Sequence, residues 1–310
     1  GLGIYGFRGL LGQRYTASKH AAGLSDNARW FDYYKASPMG VEVQKFETPV
    51  QTKDYGNTFS AGAGVSLATM GDEGKAFSTR LFLLLSLPDV ILLEGKANIL
   101  GPRVGLQAGQ DPPFFAYLAI SNKSVEAGLG IDYKMPRESG DLLTFTAEMQ
   151  AAFFFDNPKA WYLHFGTKEK PNKGRVVSLF NGYVYLMVSA GGISTGVRCE
   201  YEFSKKYLKG TLKAEVRAYV SASGEISFHR PQIGAQASVG GNVDVSVCGF
   251  GFYLGFNTSL GVEVPKPFKI EGSVRLEVGF RVFGKKIKKS FTVEFKWEKS
   301  KDNSKLEIIP

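Results

Sequence analysis

The sequence predicts an all-β protein, built as a long antiparallel meander that forms an extended sheet, a sandwich or a large barrel, with one short helix near its N-terminus. Apolar and polar residues alternate with a period of two over long segments, as they do on a strand with two different faces. Turn-forming residues separate these segments. The 310 residues include 37 Gly and 24 Phe but only 3 His and 2 Cys, and 44% are hydrophobic. This composition excludes a disordered chain and a disulfide scaffold.

Residues 1–58 are predicted to form an irregular, Gly-rich segment that contains the helix. Ser25 or Asp26 provides an N-cap and Pro38 a stop, so we expect the helix over residues 26–36. Its apolar side carries three aromatic residues, Trp30, Phe31 and Tyr34. The first six residues match the dinucleotide-binding pattern G-x-G-x-x-G, but no strand precedes them, so we interpret the match as accidental within a Gly-rich strand.

Residues 59–310 are predicted to form one antiparallel β domain, with a subdivision near residues 190–210. Apolar residues at every second position mark its first strand: Phe59, Ala61, Ala63, Val65 and Leu67. The run Leu81–Leu87 is apolar on both sides, which favours a strand covered on both faces. Further strands are expected at residues 114–121, 127–133, 142–155, 160–167, 176–189 and 196–203, separated by turns rich in Gly, Pro and Asn.

The last third alternates most regularly. Between residues 212 and 220 the even positions are apolar, while Lys213, Glu215 and Arg217 lie at odd positions. Residues 268–282 repeat this pattern. A helix would distribute these apolar residues around its axis, so the pattern excludes a helix. We expect one face of this sheet to pack on a core and the other to contact water.

The same alternation is found in outer-membrane β-barrels, which therefore stand as an alternative. Ala214, Ala218 and Gly272 lie on the predicted apolar face, and small residues favour packing against another protein layer. The aromatic residues do not form two belts, which also favours the packed sheet. The longest apolar run, Leu81–Leu87, is far shorter than the ~18 residues of a membrane-spanning helix.

No residue pattern predicts a catalytic, cofactor or metal site. His20, His164 and His229 lack the close spacing of metal ligands. Cys199 and Cys248 lie on predicted strands with no base beside them, and the sequence leaves open whether they pair. We therefore predict that the protein is not an enzyme and needs no cofactor.

The chain carries a formal net charge of +9, and its densest basic cluster lies in a predicted turn before Phe291. The cluster consists of Lys285, Lys286, Lys288 and Lys289. These lysines are candidate contacts for an anionic partner such as an acidic polysaccharide, nucleic acid or lipid headgroups. They also fit a solvated strand edge that resists pairing with other sheets, which is the interpretation we favour. No specific nucleic acid is predicted.

Three separated stretches occur in the order found in a family. They are residues 77–100, with the run FSTRLFLLLSLPDVILLEGKANIL; residues 160–166 (AWYLHFG) with 185–189 and 192–196; and residues 265–272 (PKPFKIEG), followed by 295–297. This arrangement resembles the conserved β-rich region of very large uncharacterised microbial proteins, a domain-of-unknown-function family. The resemblance implies that these residues are one region of a longer polypeptide. It implies no activity and no catalytic residue.

The predicted function is a non-enzymatic structural or scaffolding β module of a large protein or assembly. The first alternative is a module that binds or transfers an apolar ligand, such as a lipid, in a hydrophobic groove or tube. The second alternative is an outer-membrane-type β-barrel. The expected partners are other regions of the same polypeptide or neighbouring subunits, and an anionic surface or lipid. Because the sequence starts at Gly1, we expect an excerpt of a longer protein. Localisation is left open, with an extracellular, surface or secreted assembly as the expectation.

Overall fold

The structure is a computed structural model that describes most of the chain. It covers residues 1–17, 19, 24–25, 28–36, 46–47, 58–105, 111–136, 139–140, 142–207, 212–229, 232–247, 250–264, 268–282, 285–299 and 304–309. Within these residues, strands predominate, joined by one short α-helix and one 3-10 turn.

The strands follow one another along almost the whole chain. They are β1 (Leu2–Gln13), β2 (Thr16–Ala17), β3 (Phe46–Glu47), β4 (Phe59–Thr69), β5 (Phe77–Leu87), β6 (Val90–Ile99), β7 (Phe114–Ser121), β8 (Ser124–Met135), β9 (Leu143–Phe154), β10 (Tyr162–Phe165), β11 (Asn172–Val176), β12 (Phe180–Ser189), β13 (Gly192–Tyr207), β14 (Leu212–Ser227), β15 (Gln232–Val247), β16 (Phe250–Val264), β17 (Phe268–Val282), β18 (Lys285–Lys299) and β19 (Ser304–Ile309). The helix α1 spans Trp30–Ala36, and the 3-10 turn spans Pro158–Ala160.

Seventeen of the strands belong to one sheet, and β2 and β3 pair separately. Strands that are consecutive in sequence pair antiparallel from β4 to β8 and from β11 to β19, and β1 joins the sheet by pairing with β4. The prediction of an all-β antiparallel meander with one short helix is therefore confirmed.

The contacts within the chain divide it into two compact units. Unit 1 comprises residues 1–133 and 146–165, and unit 2 comprises residues 134–145 and 166–310. The sequence suggested a subdivision near residues 190–210, whereas the boundaries lie within β8 and β9 and directly after β10. β1, which was assigned to the irregular N-terminal segment, is a regular strand with one irregularity between Ile4 and Gly6.

Unit 1 has its hydrophobic core beneath α1. The helix buries Trp30, Phe31, Tyr33 and Tyr34. These aromatic side chains pack against one face of β5, β6 and β7, where the buried apolar residues are Phe82, Leu84, Val90, Leu92, Tyr117 and Ala119. The prediction of this helix is confirmed, although it begins at Trp30; Asp26 and Pro38 lie outside the described residues.

Unit 2 is a meander of long strands. β13 to β18 are each 15 or 16 residues long, and each pairs with the next over nearly its full length. Because pairing is continuous, the side-chain alternation of every strand is in phase with that of its neighbours. One face of the meander is therefore mainly apolar and the other mainly polar.

Candidate functional site

The leucine-rich strands of unit 1 turn their aliphatic side chains outward. Leu81, Leu83, Leu85 and Leu87 of β5 are 37–47% exposed. The residues between them point to the face that α1 covers, and Ser86 on that face is fully buried. The prediction that this run is covered on both faces is wrong, because α1 covers only one face and no described residue covers the other to a comparable degree.

β4 shows the same inversion. Phe59, the first of the alternating apolar residues, is 43% exposed. The small and polar residues between the apolar ones face inward, and Ser60 and Ala68 are fully buried. Ser60 donates to the Tyr15 carbonyl at 2.8 Å and lies 2.9 Å from the Ser86 hydroxyl. Hydrogen bonds, not apolar packing, fill this part of the interior.

Unit 2 also has one strongly apolar face. Val220, Val239, Thr258 and Val274 lie side by side on β14 to β17 in one cross-strand row. Many large apolar side chains of this face are 36–64% exposed, and the others that the structure describes are partly exposed. The exposed ones include Val197, Ile226, Ile233, Val245, Phe252, Leu254, Phe256, Leu260, Leu276, Phe280 and Phe291. We expected this face to pack on a core, and among the described residues it does not.

The apolar band on this face is wide and almost uninterrupted. On β16 it runs from Phe252 to Val264, and on β15 it runs from Ile233 to Val245. Thirteen residues of extended strand span about 40 Å. On a strand tilted by about 45° this distance corresponds to about 29 Å, close to the hydrocarbon thickness of a bilayer.

Charged side chains on this face gather at one end of the strands. This holds for the residues that the structure describes in β13–β17 and, in β18, as far as Trp297. Lys205 pairs in register with Ala214, Lys285 with Val282 and Lys289 with Val278. Each of these pairs lies within the last three cross-strand rows, beyond most of the apolar band. Lys205 shares its row with Val245, and Lys289 shares its row with Val243, so positive charge overlaps the last rows of the band at that end.

The four clustered lysines of the sequence do not form one surface. They lie within β18 rather than in a turn, and the strand alternation sends Lys285 and Lys289 to the apolar face and Lys286 and Lys288 to the opposite face. Lys286 contacts Asp244 at 3.2 Å, and Lys288 contacts Glu277 at 2.8 Å. The predicted anion contacts are thus separated by the sheet itself.

The other face of unit 2, which we call the polar face, is densely paired. Arg217 contacts Glu202 at 2.9 Å and Glu215 at 3.0 Å. Tyr253 lies beneath Lys286 and Lys288, whose Nζ atoms are 3.9 and 4.1 Å from its ring centroid. Each such contact is weak by itself in water, but together they order the side chains of this face.

Unit 1 buries a polar cluster beneath α1. The Tyr34 hydroxyl donates to Glu94 Oε2 at 2.8 Å, and Lys96 Nζ contacts Glu94 Oε1 at 3.3 Å. Glu126 accepts from the Trp30 N–H at 3.0 Å. Burial, reinforced by the charge of Glu94, raises the pKa of Tyr34 well above its ordinary value. The phenol therefore stays protonated and acts as a donor.

This cluster is the arrangement that the sequence reasoning missed. Glu94, Lys96 and Glu126 are 1–2% exposed. Parity places Glu94 and Lys96 on one face of β6, but it does not show that this face is the buried one.

The described histidines and cysteine lie in different environments. His164 stacks on Tyr162, with ring centroids 4.7 Å apart, and His229 lies just after β14. Cys199 is exposed on β13, whereas His20 and Cys248 lie outside the described residues. Within the described part of the chain, no group of three or more His, Cys, Asp or Glu side chains could hold a metal ion.

Among the described residues, no helix is long and apolar enough to span a membrane. Comparisons with family models, curated proteins and solved structures find no match to the chain. The functional argument therefore rests on the geometry of the strands and their two faces.

Proposed function

We propose that the protein is a membrane-embedded β-sheet protein whose apolar strand faces contact lipid and whose polar faces contact water or the protein interior. The observation that carries this proposal is the exposed apolar strand face that each unit presents. The aliphatic side chains of β5 are exposed while Ser78 and Ser86 are buried, and the apolar face of β14–β17 is exposed.

Solvent chemistry supports this assignment. Apolar surface in water costs about 25 cal/mol per Å², and monomeric soluble proteins rarely expose large contiguous apolar patches. In contact with acyl chains the same surface carries no such cost. The pairing of backbone groups in successive antiparallel strands also suits a lipid environment, since unpaired backbone groups are costly there.

The dimensions and charges of unit 2 support it further. The apolar band matches a hydrocarbon core when the strands are tilted, and Lys205, Lys285 and Lys289 at its end suit the headgroup region of an anionic membrane. Of the functions predicted from the sequence, a lipid-facing sheet therefore fits better than a scaffold with a water-exposed face. Another protein layer over the band is the competing occupant.

An arginine scan along β15 tests the proposal. Val239 lies at the centre of the band and is 46% exposed, whereas Ile233 and Val245 lie at its two ends and are 50% and 36% exposed. In lipid, Val239→Arg is expected to lower the free energy of unfolding by about 2–4 kcal/mol, and the two end variants by about 0–1 kcal/mol. Reversible urea unfolding in phospholipid vesicles measures these differences.

The alternatives give different profiles. At half-exposed positions in water, all three variants would change stability by less than about 0.5 kcal/mol. A protein layer packed over the band would make all three variants costly, because each would bury an unpaired charge at a tight interface. Only a cost that peaks at Val239 supports lipid contact, and either other profile overturns it.

A further inference from the structure

One region of the polar face of unit 2 differs from the rest because several of its polar side chains are not paired with another described residue. A cavity of about 850 Å³ opens there between β12 and β18. Tyr185, Ser194, Ser223, Glu225 and Gln236 line it, and none of these side chains makes a hydrogen bond or ion pair with another residue that the structure describes. Elsewhere on the same face, the charged residues pair closely.

The ring of Tyr185 lies flat against the neighbouring strand at the edge of this cavity, and we call it the platform. Its partner in register on β13 is Gly196. A Cβ atom at Gly196 would lie 2.4 Å from Tyr185 Cε1, so glycine is required for the ring to rest on the strand. Along the described chain, no cation or second ring covers the ring of Tyr185, whereas Arg198 lies 4.3 Å from the ring centroid of Tyr219.

Hydrogen-bonding side chains continue from the platform in a straight row. Gly196 pairs with Ser223, and Ser223 pairs with Gln236. Since neighbouring strands lie about 4.8 Å apart, the row from Gly196 to Gln236 spans about 10 Å. Glu225 lies two residues beyond Ser223 on the same face of β14.

We propose that this row binds a neutral oligosaccharide, with one pyranose ring stacked on Tyr185 and the next sugar unit bonded to Ser223, Gln236 and Glu225. The negative face of an aromatic ring attracts the weakly positive C–H groups of a sugar. Hydroxyl and amide groups both donate and accept hydrogen bonds, which matches sugar hydroxyls.

The charges around the cavity favour a neutral ligand over an anion. Four carboxylates line it: Glu225, Glu263, Glu271 and Glu294. Three lysines accompany them, and Lys269 is paired with Glu271. A phosphate or an acidic sugar would meet more negative than positive charge here. The inference goes beyond the proposed function, because this site does not require lipid on the opposite face.

Isothermal titration of the full chain in nonionic detergent, with a panel of neutral trisaccharides of glucose, mannose or xylose, tests the site. We expect at least one trisaccharide to bind, and Tyr185→Ala to weaken its binding at least about tenfold, the size of a good aromatic contact. Tyr185→Phe keeps the ring and should stay within about threefold. Tyr219→Ala is the matched control, since Arg198 covers that ring, and it should leave binding unchanged.

Absence of binding by the whole panel overturns the inference, as does an equal loss in Tyr185→Ala and Tyr219→Ala. Circular dichroism of each variant verifies that the sheet is intact. If Tyr185→Ala does not fold, Tyr185→Phe serves as the test, and a loss of more than about threefold in this ring-preserving variant would contradict stacking. The arginine scan of β15 measures stability in the absence of sugar. The two experiments therefore distinguish a failure of lipid contact from a failure of sugar binding.

Discussion

Gly128 of β8 shows how single residues fit the helix to the sheet. A Cβ atom there would lie 2.4 Å from Tyr117 Cε1 and 2.8 Å from Phe31 Cδ2. Tyr117 pairs in register with Gly128, so its ring lies across the strand and forms the floor on which the helix packs. The glycine is thus a packing requirement and not a turn.

Gly128→Ala is expected to destabilise the protein by about 1–3 kcal/mol, because two buried rings must move to admit one methyl group. Gly9→Ala on β1 is the control, since nothing lies within 4 Å of a Cβ atom at that position. The control should be neutral or slightly stabilising. Urea unfolding of both variants measures the difference, and equal effects would contradict this account of the packing.

At the residue scale, the sequence pattern predicted which side chains share a face but not which face is exposed. Alternation groups Phe59 with Val65 correctly, yet parity alone does not say whether α1 covers that group or the opposite one. The same applies to the lysines of β18, which are neighbours in sequence and lie on opposite faces. Lys286 and Lys288 find partners on neighbouring strands, and those partners depend on the register.

At the scale of elements, α1 is held to the sheet by polar as well as apolar contacts. Tyr34 donates to Glu94, and Lys35 pairs with Glu148. The aromatic pattern of residues 30–34 was enough to predict the helix. Its docking surface could not be predicted, because the carboxylates that receive it lie 60 and 113 residues further along the chain.

Glu94→Gln tests the polar part of this docking. The substitution keeps the side-chain size but removes the charge that faces Lys96, whose side chain is 1% exposed. Leaving a buried charge without this partner is expected to cost about 3–5 kcal/mol in the free energy of unfolding. The double variant Glu94→Gln/Lys96→Met should recover at least half of that loss, which chemical unfolding measures.

The matched control for this cycle is Glu73→Gln. Glu73 also faces a lysine, Lys75, at 3.9 Å, but its side chain is 85% exposed. Its substitution should change stability by less than about 0.5 kcal/mol. If Glu94→Gln were as mild as this control, the buried pair would not hold α1 in place.

At the scale of the whole molecule, both units leave an apolar strand face exposed. The composition and the two-residue period predicted the meander, because a long regular strand with two different faces has alternating apolar and polar residues in its sequence. The exposure of the apolar face was not predictable, since the residue pattern of a strand is the same whether its apolar face contacts a protein core or lipid.

The purified protein is expected to need an amphiphile to remain monodisperse. Sedimentation velocity in nonionic detergent should give one discrete species, whereas removal of detergent should produce large aggregates through the exposed apolar strands. A discrete monomer in detergent-free buffer at micromolar concentration would contradict both this prediction and the lipid-facing assignment.

The in-phase alternation of β13 to β18 has a consequence for assembly. If β17 slipped by one residue against β16, Arg275 and Glu277 would move onto the face that carries Phe256, and Leu276 would move among the ion pairs. Because every row of the meander combines strands in the same phase, one such error would be unfavourable on both faces at once. The two-sided chemistry of the sheet therefore makes misaligned hairpins less stable than the native register.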